Sequence, residues 1–405
     1  MTTTGAPPVG FARIPVVPVV DEKLRTTSLS LTVGYGARHD PAGRGGVAHL
    51  LEHLLMSSPV AGVPSFCEHV ERLGGYVNAH TAPEMTQFYA QVSADDADEI
   101  AELLHTAVLA PVFEADRLAD ERAVVLKELA TGAADMADAV QDAFLAEFFA
   151  GHDLGRPVGG VPEELAAITV EELRAEHAAN FLTSPMVLVV VGPRIPKPLV
   201  DSPAAGSGAV FRVGRDEPVP ARQDRLPAWP TDENLCWVCM GAASPRTGDP
   251  DRSAYNVLAK LLGSSPSSLL YRSLRNQEGL AYSFQAWHRG YADAGVWRLL
   301  VGVEPESAPR LMEVVRELLA GLATDGPTPD DLDAARRQAV MGLIRDSESP
   351  LEQANLIGAR GRAGTVAWSL DDDLAELAAV TAQDVRAAAA QVADGLFVCV
   401  RPEAS

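Results

Sequence analysis

The sequence predicts an α+β protein of two homologous domains, each an antiparallel β-sheet packed with α-helices. Three observations predict it. Short apolar runs of strand length are interleaved with longer stretches of helical period in both halves. Periodicity lapses in a proline- and glycine-rich stretch from Gly192 to about Pro230, near the middle of the 405 residues. The stretch His49-Leu-Leu-Glu-His-Leu-Leu-Met-Ser-Ser-Pro59 lines up with Asn256-Val-Leu-Ala-Lys-Leu-Leu-Gly-Ser-Ser-Pro266, sharing the Leu-Leu pair and the Ser-Ser-Pro. Self-similarity at half the chain length marks two copies of one fold. The expected division is a first domain over 1–205, a linker over 206–228 and a second domain over 229–405.

In the first half, Leu29 to Tyr35 alternates and reads as a strand. A glycine-rich turn, Pro41 to Gly46, leads into an apolar helical stretch from Val47 to Met56. Ser65 followed by Glu68 is the signature of a capped second helix, which stops at Gly74-Gly75. Tyr76 to Val92 reads as strand, turn and strand around Pro83. Helices follow over Asp95–Leu109, Glu114–Thr131 and Asp135–Phe149, and Met186 to Val191 is a short, fully apolar strand. The second half repeats the plan. Leu235 to Met240 is a strand, Pro245 to Pro250 a turn and Ala254 to Leu262 a helix. Arg272 to Phe284 runs from helix into strand, and Val296 to Val303 is a strand. Ala308–Ala323, Asp330–Asp346 and Leu374–Val392 are helical.

Composition narrows the function. Apolar content of 47% and charged content of 22% describe a globular chain long enough for two or three domains. A net charge of −22 argues against nucleic acid, whose phosphates would be repelled. The acidity serves solubility, with attraction of basic peptides as its functional alternative. The four cysteines, Cys67, Cys236, Cys239 and Cys399, are too few and too scattered for a disulfide framework. Cys236 and Cys239 have CxxC spacing, but on a strand they face opposite sides, so they are expected to be structural rather than metal-binding. The N-terminal stretch lacks a basic region and is broken by prolines, unlike a secretory signal. No apolar run reaches the roughly 18 residues of a membrane span, so no membrane partner is expected and the cytoplasm is the default location.

His49-Leu-Leu-Glu52-His53 carries the chemistry. Positions i, i+3 and i+4 of a helix share one face, so two imidazoles one turn apart can grip one Zn²⁺ with a carboxylate beside it. A catalytic zinc takes three protein ligands and keeps one position open. Glu121 and Glu128, seven residues apart in Asp120-Glu-Arg-Ala-Val-Val-Leu-Lys-Glu128, share a helical face. By spacing alone either can be the third ligand, with the other orienting a histidine. The remaining histidines show no ligand spacing.

These residues resemble the pitrilysin/insulinase family of inverted zinc peptidases, and most closely its short, processing-peptidase-like branch. Gly46-Val-Ala-His-Leu-Leu-Glu-His-Leu is similar to the family's Gly-x-Ala-His-x-x-Glu-His signature, and Gly74-Gly-Tyr-Val-Asn78-Ala-His-Thr81 to its Gly-Gly-x-x-Asn-Ala-x-Thr strand. Glu121-Arg-Ala-Val-Val-Leu-Lys-Glu128 resembles the segment whose last glutamate binds zinc. The resemblance covers most of the chain. It implies one Zn²⁺ per chain on His49, His53 and Glu128, with Glu52 as catalytic base and Glu121 outside the ligand set. Ser267 to Tyr282 resembles the family's Arg/Tyr element, which implies that Tyr282 donates to the oxyanion and Arg275 holds substrate or positions Tyr282. Asn78 and Ala79 would lie on the edge strand to which a peptide substrate adds.

The implied activity is a zinc metalloendopeptidase that cleaves unfolded peptides in a dimeric chamber. Each chain would be half of a clamshell, paired as a homodimer or as a heterodimer with a related chain. A leader-processing protease for one precursor is the narrower version. The alternative is a catalytically silent structural or binding subunit. Asp40 in place of the usual Glu, and Ser57-Ser-Pro59 in place of Lys-Gly-Thr, depart from the family pattern.

Overall fold

Leu29, Leu31 and Val33 alternate with small polar residues, and Phe88, Ala90 and Val92 repeat that period, so the two segments can share one apolar face of a sheet. The computed structural model describes residues 14–202, 227–231, 233–263, 265–361 and 369–403, apart from the side chain of Tyr282. Residues 206–226 of the expected linker lie outside the described residues. The described residues fall into two compact units: those within 1–129, 156–213 and 346–368 form unit 1, and those within 130–155, 214–345 and 369–405 form unit 2.

Unit 1 is built on strands β1 (Val16–Val20), β2 (Thr26–Val33), β3 (Tyr76–Thr81), β4 (Thr86–Ser93) and β5 (Met186–Gly192), in spatial order β1-β5-β2-β4-β3. Neighbours are antiparallel except β1 and β5, which run parallel. The β1 strand has no counterpart among the expected elements, because the prolines at Pro15 and Pro18 interrupt its period. As an edge strand it tolerates a residue without an N–H. Helices α1 (Val47–Ser57), α2 (Phe66–Arg72) and α3 (Ala97–Leu109) bury their apolar stripes against the leucine, valine and phenylalanine face of the sheet. Ser65 caps α2 by accepting from the Glu68 N–H at 3.0 Å. The sequence continues through α4 (Ala115–Ala134), α5 (Met136–Phe148), α6 (Pro162–Ala167) and α7 (Val170–Glu176).

Unit 2 repeats the topology. Strands β6 (Cys236–Ala243), β7 (Ala281–Gly290), β8 (Gly295–Val303) and β9 (Phe397–Arg401) form an antiparallel sheet in order β7-β8-β6-β9. Helix α8 (Arg252–Leu262) follows β6 as α1 follows β2, and β3 and β7 are the corresponding edge strands. Helices α9 (Ala308–Asp325), α10 (Pro329–Glu348), α11 (Pro350–Gly361), α12 (Leu370–Ala379) and α13 (Ala382–Asp394) complete the described chain. Cys236 faces the cluster of Val238, Trp297 and Leu299, whereas Cys239 faces Phe144, Phe148 and Cys399 on the other side. Both are buried and free.

The second face of each sheet is covered by a helix from the other half of the sequence. In unit 1, α11 packs on β2, β4 and β5, where Ser28, Ser30 and Thr32 are fully buried. The Gln87 amide donates there to Thr32 Oγ1 at 3.0 Å and to the Asn355 carbonyl at 2.8 Å. A side chain at Gly358 would collide with Thr32, so glycine is what lets α11 approach this polar face. In unit 2, α5 lays Phe144 and Phe148 against Phe397. Among the described residues no helix is long and apolar enough to cross a membrane.

Candidate metal centre

The three residues of the motif share the polar side of α1. Leu50, Leu51, Leu54 and Leu55 face the core and are essentially fully buried, which turns His49, Glu52 and His53 together to the opposite side, where they are half-buried. The helix begins at Gly46, whose φ of 100° is a left-handed conformation natural to glycine. Its first amides are satisfied from a distance. Asp40 accepts from the Gly46 N–H at 2.6 Å and the Ala48 N–H at 2.8 Å. Burial raises the Asp40 carboxyl to about 7, against the pull of those two hydrogen bonds and of nearby Arg156.

Three ligand atoms converge. His49 Nε2 and His53 Nε2 are 3.2 Å apart, and Glu128 Oε2 of α4 lies 3.8 Å from the first and 3.4 Å from the second. A tetrahedral ion with bonds of about 2.0–2.1 Å separates its ligands by roughly 3.4 Å, so this spacing suits a divalent cation. The far side of each ring is also engaged. His53 Nδ1–H donates to Glu121 Oε2 at 3.2 Å, and His49 Nδ1–H faces the Gly159 carbonyl at 3.4 Å. Because those acceptors require the proton on Nδ1, both Nε2 lone pairs are left for a metal.

Electrostatics follow the same arrangement. Burial, then the neighbouring His53, holds His49 below the usual histidine range. Burial opposes the charged form of His53 too, but the Glu121 hydrogen bond and the charges of Glu128 and Glu52 outweigh it and raise its pKa. In return the His53 hydrogen bond lowers Glu121. Glu52 is held by the Thr81 hydroxyl, which donates to its Oε2 from the end of β3. On the same edge strand Asn78 is exposed, and its Oδ1 accepts from the Ala79 N–H at 2.9 Å.

The structure thus brings His49, His53, Glu128, Glu121 and Glu52 together within unit 1. Arg275 and Tyr282 belong to unit 2. Arg275 lies in the helical turn Tyr271–Gln277 with its guanidinium 5.0 Å from the Tyr271 ring centre. The Tyr282 backbone is part of β7, and its side chain lies outside the described residues.

Three contributors carry no role in the sequence reading. Thr81 stands inside the quoted edge-strand motif, and Asp40 stands out there only as a departure from a pattern. The Gly159 carbonyl has no side-chain signature; its one trace is the Gly159-Gly160 pair. A side chain at Gly159 would strike Leu129, and one at Gly160 would strike the Gly46 backbone.

Comparison with known proteins finds two family models that match successive parts of the chain. Residues 16–161 match the family model described as insulinase (peptidase family M16), and residues 167–339 match the one described as peptidase M16 inactive domain. An uncharacterized zinc protease of Mycobacterium tuberculosis is 30% identical over 374 residues, covering 90% of this chain and 85% of the relative. The chain belongs to the insulinase family of peptidases, M16. A more distant M16 relative, the mitochondrial-processing peptidase subunit beta of Pongo abelii, is 24% identical over 82% of this chain and 71% of its own. Among solved structures, a protease from Helicobacter pylori has the same fold, with a TM-score of 0.83 at 20% identity over 96% of this chain and 97% of that one. The two homologous α+β domains are therefore the M16 fold. The second M16 copy keeps the fold but has Asn256, Ala259 and Lys260 where α1 has His49, Glu52 and His53.

Proposed function

We propose that this M16 protein is a zinc-dependent endopeptidase acting on unfolded peptides, with one Zn²⁺ per chain held by His49, His53 and Glu128. The observation that carries this reading is the convergence of two Nε2 atoms and one carboxylate oxygen beside Glu52 on a single helix face. The donor set of two imidazoles and a carboxylate is of the kind that holds a catalytic zinc, which keeps its fourth position open. Zinc bound there would supply a Lewis acid for the scissile carbonyl and lower the pKa of water.

The protein's own groups do the remainder. Glu52, aimed by Thr81, accepts the proton of the attacking water and delivers it to the leaving nitrogen. Glu121 and the Gly159 carbonyl keep the rings in the tautomer that leaves Nε2 available. Substrate main chain adds to β3 beside Asn78 and Ala79, so binding is tolerant of sequence. Tyr282 as oxyanion donor and Arg275 as substrate anchor rest on the family resemblance.

We assign the working form as a dimer, either with a second copy or with a related chain. The name of the processing-peptidase relative, a beta subunit, favours the second arrangement. Four free cysteines suit a reducing compartment, hence the cytoplasm. The deciding experiment is cleavage of a generic unfolded peptide by the purified chain, with zinc content measured in the same sample. Chelator-sensitive cleavage with one zinc per chain supports the reading. A chain that holds no zinc and cleaves nothing leaves the silent-subunit alternative.

A further inference from the structure

The duplication places a second cleft in unit 2, built from the counterparts of the elements around the metal centre. Helix α8 stands for α1 and edge strand β7 for β3, and α10 has the 20-residue length and chain position of α4. Between them lies a pocket of about 530 Å³, inside the range of roughly 300–1,000 Å³ typical of ligand sites. Its chemistry is inverted. Ala259 occupies the position of Glu52 and Lys260 that of His53, and among the described residues no carboxylate lines the pocket. From α10, Gln338, Met341 and Arg345 face it at i, i+3 and i+7, one side of a helix.

The chain carries 55 acidic and 33 basic side chains, so an exposed cation readily finds a carboxylate. Among the described residues, neither Lys260 nor Arg345 has one. Next to them the Gln338 side chain is held on both sides: Ser265 Oγ donates to its Oε1 at 3.1 Å, and its Nε2 donates to Ser267 Oγ at 2.6 Å. Two unpaired cations, an ordered amide and the exposed Met341 side chain make a site for a carboxylate attached to an apolar or extended segment.

We propose that this pocket binds a carboxylate of a peptide, either its C-terminus or an acidic side chain, through Lys260 and Arg345. The choice of a peptide rests on the peptidase reading above; the anion selectivity does not. The test is equilibrium binding to the full-length Glu52→Gln chain, measured by fluorescence anisotropy, so that cleavage is not the readout. The probes are a short labelled peptide with uncharged side chains and a free C-terminus, its C-terminal amide, and that amide with one internal glutamate.

The expected result is that one or both carboxylate-bearing probes bind about tenfold more tightly than the neutral amide, a difference of about 1.4 kcal/mol. The arm that shows the gain identifies which carboxylate is taken. Lys260→Gln with Arg345→Gln abolishes the gain, and Lys260→Glu with Arg345→Glu transfers it to an amide carrying an internal lysine. Equal binding of acid and amide probes overturns the inference, as does a gain that persists in the double variant. So does loss of thermal stability with affinity unchanged, because both residues lie in the last turns of their helices and would then serve only the helix dipole. Carboxylate-selective binding by the variant, with no cleavage by the wild-type chain, sinks the peptidase reading alone; wild-type cleavage with no carboxylate selectivity in the variant sinks this inference alone.

Discussion

The hydroxyl of Thr81 donates a hydrogen bond to the carboxylate of Glu52, tying the last residue of an edge strand to the polar face of the metal helix. Glu52 has rotamers to spare, and this bond selects one. Replacing Thr81 with Val removes the donor and keeps the shape. The expected outcome is a loss of about tenfold in kcat, the worth of one orienting hydrogen bond, with zinc content unchanged and activity restored by Ser. A Val variant with wild-type kcat would show that Glu52 needs no such partner.

Glu52→Gln keeps the size of the side chain and removes the proton acceptor. Cleavage should fall by about 10²–10⁴-fold. Zinc measured by atomic absorption should stay at the wild-type ratio, because Glu52 is not among the three converging ligand atoms. Zinc lost in parallel with activity would move Glu52 into the ligand set.

Glu121→Ala leaves His53 Nδ1 without its acceptor. Metal affinity, read by competition with a chelator, should weaken by about 10–100-fold. Protons compete with the metal for the same ring, and His53 is raised above the ordinary histidine value. Affinity in the wild type should therefore rise with pH through and above about 6.5. An affinity that is flat between pH 6 and pH 8 would contradict this account.

Asp40 supplies a stability test whose sign follows from its raised pKa. The folded value is about 7, against 3.8 in the reference state. Between those values the folded chain retains a proton that the unfolded chain has released. The contribution is therefore fully present below 3.8 and lost as pH rises through about 7. In urea unfolding, the stability of wild type relative to Asp40→Asn should shrink over that window, by at most about 4 kcal/mol. A gap that widens with pH would mean that the two amide hydrogen bonds overcome burial.

What the sequence determines by itself is local. The i, i+3, i+4 spacing puts His49, Glu52 and His53 on one helix face, because 3.6 residues per turn leaves no other choice. The period of two sends Cys236 and Cys239 to opposite sides of β6, and the repeated Leu-Leu and Ser-Ser-Pro disclose the duplication. Spacing alone cannot rank Glu121 and Glu128, which share a face of α4. Only the packing of α4 against α1 sets Glu121 at His53 Nδ1 and Glu128 near both Nε2 atoms. The same holds for the Gly159 carbonyl, since every residue carries one, and for the exchange of α5 and α11 between sheets. Periodicity records which side of an element is apolar. Which partner covers that side, and which polar atoms then meet, is decided by contacts between residues far apart in the chain.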